Sequence, residues 1–256
     1  MKIFVCVKHV PDTAATIKVA GEAGYEEGGV KFVSNPYDEF GIEEAVKTVE
    51  KNGGEVVILT VGKAGAAATM RGAMAMGAHR GILVKTDTQF LDPALTAQAL
   101  KAAMDQDGLG DMVFTGKGSV DSESFQTQYC LAAALGVPVA NEVSALSLGE
   151  GKAVAEQETG GGDKQVLELS LPCVIGATKG LNEPRYPKFP DIMKAKKKEL
   201  REIDIADLGI DLSQGRICLE TLEIVPERAG AKMLEGDTDA QVAELVRILR
   251  EEEKVI

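Results

Sequence analysis

Apolar strings of strand length alternate with stretches of helical periodicity over the first 140 residues. Residues 3–7, 55–61, 81–85 and 111–115 are the strand candidates. Between them, residues 38–51 place Phe40, Ala45, Val46 and Val49 at helical spacing and run into Asn52-Gly53-Gly54, a stop signal. Residues 64–76 are rich in small side chains and end at Gly77. Asp92-Pro93 opens a helix over 94–104, with Asp as N-cap and Pro in the first turn. A further helix over 125–135 stops at Gly136. Continuous apolar strands separated by helices predict a parallel sheet covered on both faces. The fold class is therefore α/β, doubly wound and mostly parallel.

From residue 142 the pattern changes. Segments 143–148, 152–158 and 165–169 are short, alternating and joined by Gly-rich turns, which predicts an antiparallel ribbon extending the sheet. A buried strand follows over 172–178, and a last strand is expected over 218–224. Residues 229–237 read as an extended arm, and 240–252 as an amphipathic helix with Val242, Leu245, Val246 and Leu249 on one face. The division expected is a domain over 1–227 and a C-terminal arm plus helix over 228–256.

Residues 181–197 carry Pro184, Pro187 and Pro190 within seven positions, which predicts a stiff protruding loop denied regular structure. Tyr186 and Phe189 sit at its centre. Lys194, Lys196, Lys197 and Lys198 follow, in a chain of net charge −12. A rigid apolar tip beside a cationic stripe suits transient docking, the tip as anchor and the charges as guide. A proline-rich surface turn leading into a solvated basic helix is the plainer alternative.

Composition narrows the function. The acidic balance argues against general nucleic-acid binding, and no apolar run approaches the length of a membrane span. With no targeting segment at the N-terminus, the cytosol or an equivalent matrix is the expected location. Four scattered cysteines and two histidines suggest neither a disulfide framework nor a metal centre. His9 beside Asp12 is too weak a pair for acid–base catalysis, so the chain reads as a binding module.

Open α/β sheets bind ligands at the carboxyl ends of their strands. Residues 7–12, 34–38 and 115–124 should gather there. The third segment, Thr115-Gly116-Lys117-Gly118-Ser119-Val120-Asp121-Ser122-Glu123-Ser124, offers glycines, hydroxyls and a following helix N-terminus, the parts of an anion site. It lacks the spacing of a P-loop, and Asp121 and Glu123 could instead cap the helix.

Val7-Lys8-x-Val10-Pro11-Asp12, Asn35-Pro36-Tyr37-Asp38-Glu39, Gly77-Ala78-x-Arg80-Gly81, Gly116-Lys117, Gln126-Thr127 and the 181–197 loop occur in this order. Together they resemble the beta subunit of electron transfer flavoprotein, over essentially the whole chain. The resemblance implies an obligate heterodimer with an alpha subunit that holds most of the FAD, against which the C-terminal arm lies. It implies a structural AMP in this chain, with Cys6, Asn35 and Val61 in its pocket and Ser119, Ser122, Gln126 and Thr127 around ribose and phosphate. Thr13 falls where the family approaches the flavin ring.

The docking loop of the family maps onto Arg185, Tyr186, Phe189, Ile192, Met193 and Lys194, with Phe189 as anchor where Leu is usual. The implied role is an electron carrier rather than an enzyme in its own right. It takes electrons from dehydrogenases, typically acyl-CoA dehydrogenases, and passes them to a membrane quinone reductase. Gln128 replaces a common glycine, and Asp121-Ser122-Glu123 interrupts an acidic run. Electron-bifurcating relatives, with a second FAD in place of AMP, usually carry Asp-Gly-Asp-Thr-Ala-Gln-Val-Gly at this turn, which is absent here. A stand-alone nucleotide-binding regulator is a third possibility, and it leaves the 181–197 loop unexplained.

Overall fold

The computed structural model describes residues 1–226 and 230–256. The chain runs β1 (Lys2–Cys6), β2 (His9–Pro11), β3 (Val19–Ala20), β4 (Gly24–Tyr25), β5 (Phe32–Ser34), α1 (Pro36–Asn52), β6 (Glu55–Gly62), α2 (Ala66–Ala75), β7 (Arg80–Lys85) and α3 (Pro93–Asp107). It continues through β8 (Met112–Gly116), α4 (Thr127–Leu135), β9 (Val139–Gly149), β10 (Lys152–Gly160), β11 (Asp163–Ser170), β12 (Cys173–Ala177), α5 (Phe189–Ala195), β13 (Leu200–Asp204) and α6 (Thr238–Arg247).

Nine strands form one sheet in the order β11-β10-β9-β12-β8-β1-β6-β7-β13. The ladder from β9 to β13 is parallel, and β10 and β11 extend it as an antiparallel ribbon. This is the α/β, mostly parallel arrangement expected from the apolar runs. Consecutive side chains of a strand point to opposite faces, and β1 shows the result. Ile3 and Val5 join a core with Ile42, Val46, Met70 and Met74 of α1 and α2. Phe4 joins the other, with Leu100 and Met104 of α3 and Leu131 of α4. Asp92 caps α3 as its sequence position predicts, accepting from Ala94 N at 2.7 Å and Leu95 N at 3.0 Å. The turn from β10 to β11 uses Gly160, Gly161 and Gly162, all at positive φ.

Two expectations are corrected. Residues 218–224 are not a strand. The backbone N–H groups of Arg216 and Ile217 donate instead to Asp92 Oδ2, both at 3.0 Å, and Leu222 N donates to Glu22 O at 2.8 Å. The edge place belongs to β13, where three of five residues, Arg201, Glu202 and Asp204, are charged because one side of an edge strand meets water. The prolines of the 181–197 loop also do not prevent a helix. Residues 189–195 form α5, with Pro190 in its first turn, where a missing N–H leaves no bond unmade.

By its internal contacts the chain divides into Met1–Leu222 and Glu223–Ile256. The boundary expected at 227/228, and Ala229 at the start of the expected arm, lie outside the described residues. In the second unit, Asp237 caps α6 through Ala240 N at 2.9 Å, and Val242, Leu245 and Val246 are exposed on that helix.

Candidate functional site

β1 and β8 are neighbours, yet the chain leaves them in opposite directions, β1 toward β6 and β8 toward β12. That divergence opens a crevice at their carboxyl ends. A cavity of about 800 Å³ occupies it. Cys6, Asn35, Val61, Ser119, Ser122, Gln126 and Thr127 all line it, so seven positions scattered over more than 120 residues meet in one cavity.

Asp38 organises the floor. It is 5% exposed, and its carboxylate accepts from Lys8 N at 2.7 Å, Asn35 Nδ2 at 2.9 Å and Gly116 N at 2.9 Å. Three segments leaving the sheet are thereby tied to one side chain. Burial outweighs these bonds and pushes its pKa up to about 7. Gly116 fits because a Cβ there would lie 2.5 Å from Asp38 Oδ1 and 2.6 Å from Tyr37 Cβ. Asn35 continues the tie, donating to Gly118 O at 2.9 Å and accepting from Val120 N at 3.1 Å.

The 115–124 turn ends at α4, whose N-terminus has no side-chain cap. Its first-turn N–H groups belong to Thr127 and its neighbours beside the cavity, a setting that favours an anion. Lys8 Nζ lies at the same turn, donating to Asp121 Oδ1 at 2.8 Å and Ser119 Oγ at 3.2 Å. Gln128 points away from this task. Its Nε2 donates to Lys117 O at 2.8 Å and Phe125 O at 3.2 Å, closing the turn from beneath. Thr115 Oγ1, at the end of β8, is buried without a partner.

A polar clasp also lines the cavity. Gln89 Nε2 donates to Glu27 Oε1 at 2.7 Å and Tyr25 O at 3.2 Å, and Lys63 pairs with Glu27 at 2.8 Å. Burial first, then the neighbouring Glu27 and Asp121, raise the Tyr25 phenol to about 12. His9 stacks on Phe32 with ring centroids 4.4 Å apart and meets Thr69 Oγ1 at 2.7 Å. Burial lowers its pKa, favouring a neutral ring at neutral pH. Cys6 is held as a thiol by desolvation, with Asp38 adding in the same direction. Ile217, Cys218 and Leu219 complete the rim, held there by Asp92.

Thr13 stands apart, exposed on a turn braced by Asp12, which accepts from Ala14 N at 3.1 Å and pairs with Lys31 at 2.8 Å. The docking candidates gather elsewhere. Tyr186 is 95% and Phe189 74% exposed, with Ile192, Met193 and Lys194 also at the surface. Lys198 leaves the expected cationic stripe and turns inward, its Nζ donating to Met74 O at 2.9 Å and Ala78 O at 2.6 Å. Arg185 is likewise engaged, forked between Glu43 and Glu50 of α1.

Sequence reasoning did not assign Lys8, Asp38, Glu27, Gln89 or the second role of Asp92. Lys8 and Asp38 stood inside motifs already singled out. Glu27 and Gln89 had no local signal, because their meeting depends on the 19–34 excursion folding back. Among the described residues no group of three or more His, Cys, Asp or Glu is placed to hold a metal, and no helix is long and apolar enough to cross a membrane.

Comparison with known proteins agrees with this architecture. Residues 23–208 match the family described as electron transfer flavoprotein domain. The chain is 36% identical to an electron transfer flavoprotein subunit beta of Bacillus subtilis (strain 168), with all of both chains covered. It is 38% identical to one from Bradyrhizobium diazoefficiens, again over all of both chains. A human counterpart is 36% identical, covering 97% of this chain and 99% of its own. The chain thus belongs to the electron transfer flavoprotein beta-subunit family.

Proposed function

We propose that the chain is the beta subunit of a non-bifurcating electron carrier, assembled with an alpha subunit that holds most of a FAD. It binds a structural AMP in its own cavity. Electrons enter from dehydrogenases of the acyl-CoA type and leave to a membrane quinone reductase. The location is the cytoplasm, or the mitochondrial matrix in a eukaryote.

The observation that carries the reading is the pairing of two unlike features on one scaffold. The cavity unites all seven nucleotide-pocket positions, while an aromatic tip stands in solvent on a separate loop. The residues present suit AMP. Cys6 and Val61 would flank the apolar base, and the hydroxyls of Ser119, Ser122 and Thr127 would meet ribose and phosphate. The uncapped start of α4 and Lys8 would face the anion.

The turn favours AMP over a second FAD, because residues 116–124 lack the Asp-Gly-Asp-Thr-Ala-Gln-Val-Gly run usual in bifurcating relatives. The two lysines lining the cavity, Lys8 and Lys63, are already paired with Asp121 and Glu27, and further carboxylates stand at Asp87 and Asp92. The AMP phosphate and the pyrophosphate of FAD each carry about two negative charges at neutral pH, so either ligand would lean on the N–H groups at the start of α4 as well as on Lys8.

Acid extraction of the purified heterodimer, with chromatography of the released nucleotides, tests the assignment. One AMP and one FAD per heterodimer are expected. Two FAD and no AMP would replace it with the bifurcating reading.

A further inference from the structure

The exposed tip at 186–194 hangs between two polar clamps. Upstream, Asn182 Nδ2 donates to Phe40 O and Glu44 Oε2, both at 3.0 Å. Arg185 donates to Glu43 from its backbone N at 3.1 Å, Nε at 2.8 Å and Nη2 at 3.1 Å. The same guanidinium reaches Glu50 at 2.6 and 3.1 Å. Glu43 is 3% exposed, and Arg185 is the cation hydrogen-bonded to it. Downstream, Arg71 Nη1 donates to Ala195 O at 2.8 Å and also to Lys198 O, while Lys198 Nζ holds the carbonyls at the end of α2.

We propose that Arg185 is a positioning residue that fixes the docking loop to α1, and that the partner dehydrogenase contacts only the segment between the clamps. This inference rests on the docking role proposed above. A guanidinium whose fork is filled by two carboxylates has few donors left for a third party. The clamp instead removes conformational freedom from a loop that would otherwise be ordered at each encounter. Two proline rings act in the same direction within the tip's frame, at Pro184 and Pro187.

The test uses the intact heterodimer with an acyl-CoA dehydrogenase as donor, measuring KM for the heterodimer and kcat across a salt series. Releasing Arg185 without touching it, by Glu43→Gln with Glu50→Gln, should raise KM about tenfold, the scale of one or two newly mobile side chains. The turnover rate at saturation and the salt slope should stay as in the wild type. Arg185→Lys should not rescue, because it keeps the charge and loses the fork. Amide exchange at 182–188 should speed up in every clamp variant. If burial of Glu43 makes the double variant unstable, Glu50→Gln alone, at an exposed position, should still raise KM about threefold.

Normal KM in the glutamine variants beside impaired docking in Arg185→Gln would overturn the proposal and make Arg185 a direct contact. Rescue by lysine would do the same. Phe189→Ala in the same assay separates the two layers. If it also leaves KM unchanged, the docking role itself falls, and this inference with it. If Phe189→Ala docks poorly while the clamp variants dock normally, only the positioning claim is lost.

Discussion

The cavity and the docking loop use the same helix in opposite ways. The start of α1 closes the cavity, with Asn35 and Asp38 inside a buried hydrogen-bond network. Later turns of α1 hold the loop through Phe40, Glu43, Glu44 and Glu50. At the concave end, the polar groups around Asp38 are buried and bonded to one another. At the convex end, polar groups lie beneath and apolar rings stand in water. A buried network is costly to disturb at any member, because each lost partner leaves a donor or acceptor unpaired. An exposed tip costs the fold little when truncated and matters only when a partner covers it. Substitutions at the two ends should therefore report on different properties.

The largest effect belongs to the tip. Phe189→Ala should weaken docking to the dehydrogenase by about 30- to 1000-fold, the range of a hot-spot truncation of roughly 2–4 kcal/mol. Melting temperature and flavin content should not change, since the ring is 74% exposed. Steady-state transfer at sub-saturating heterodimer measures the first and a thermal scan the second. A stability loss comparable to that of a core residue would erase the contrast between the two ends.

Asp38→Asn tests the buried end. An amide cannot accept at both former carboxylate oxygens, so Lys8 N or Gly116 N loses its partner, at about 1–3 kcal/mol of stability. The pH dependence sharpens the point. The folded pKa of about 7 lies above the ordinary 3.8, so protonated Asp38 contributes stability that is complete below about pH 4. That contribution is lost as pH rises through 7. Urea unfolding between pH 4 and 8 should show the slope in the wild type and its disappearance in the variant, together with loss of bound AMP. Equal slopes in both proteins would remove Asp38 from the centre of the network.

How much of this was readable in the chain follows from where the signals lay. β1, β6, β7 and β8 are apolar because both faces are covered, and their helices carry stop signals at Gly53 and Gly136. Asn35, Ser119 and Ser122 lie in segments that the strand ends already marked out, whereas Cys6, Val61, Gln126 and Thr127 came only from the family resemblance. β13 was illegible because an edge strand with Arg201, Glu202 and Asp204 looks like loop. The 218–224 segment misled in the other direction, since Cys218 and Leu219 line the cavity rim instead of pairing in a sheet. The pairings of Arg185 and Lys198 were not legible because charge reads as exposure in a sequence. Their partners, Glu43 and Glu50 in one case and backbone carbonyls in the other, lie 120 to 142 positions away.

Lys8 gives a smaller effect than Asp38. Lys8→Met removes the one lysine at the 119–122 turn while keeping most of the stem's packing. AMP affinity of the stripped and refilled heterodimer should fall about tenfold, below the full value of a charge-assisted bond, because Asp121 already competes for the ammonium. Asp121→Asn should shift affinity the other way by freeing Lys8. Isothermal titration with AMP checks both. Identical affinities would place the phosphate away from this turn.

The smallest effect should come from the lysines that remain in the stripe. Lys194, Lys196 and Lys197 are exposed, and Lys194 faces Asp191 at 3.6 Å. Charges in this setting steer encounter more than they hold a complex. Replacing all three with glutamine should slow association several-fold at low ionic strength and leave dissociation unchanged. The difference should fade as salt rises past about 0.15 M, where the screening length is about 8 Å. Lys198→Gln should behave as the opposite control. Its ammonium caps carbonyls at the end of α2, so its loss should lower stability by about 1–3 kcal/mol and persist at high salt, as a partly buried charge-assisted bond does. Stopped-flow association across a salt series separates the two behaviours. A salt-independent triple variant would show that these lysines touch the partner at close range, and the boundary between tip and clamp would move toward residue 197.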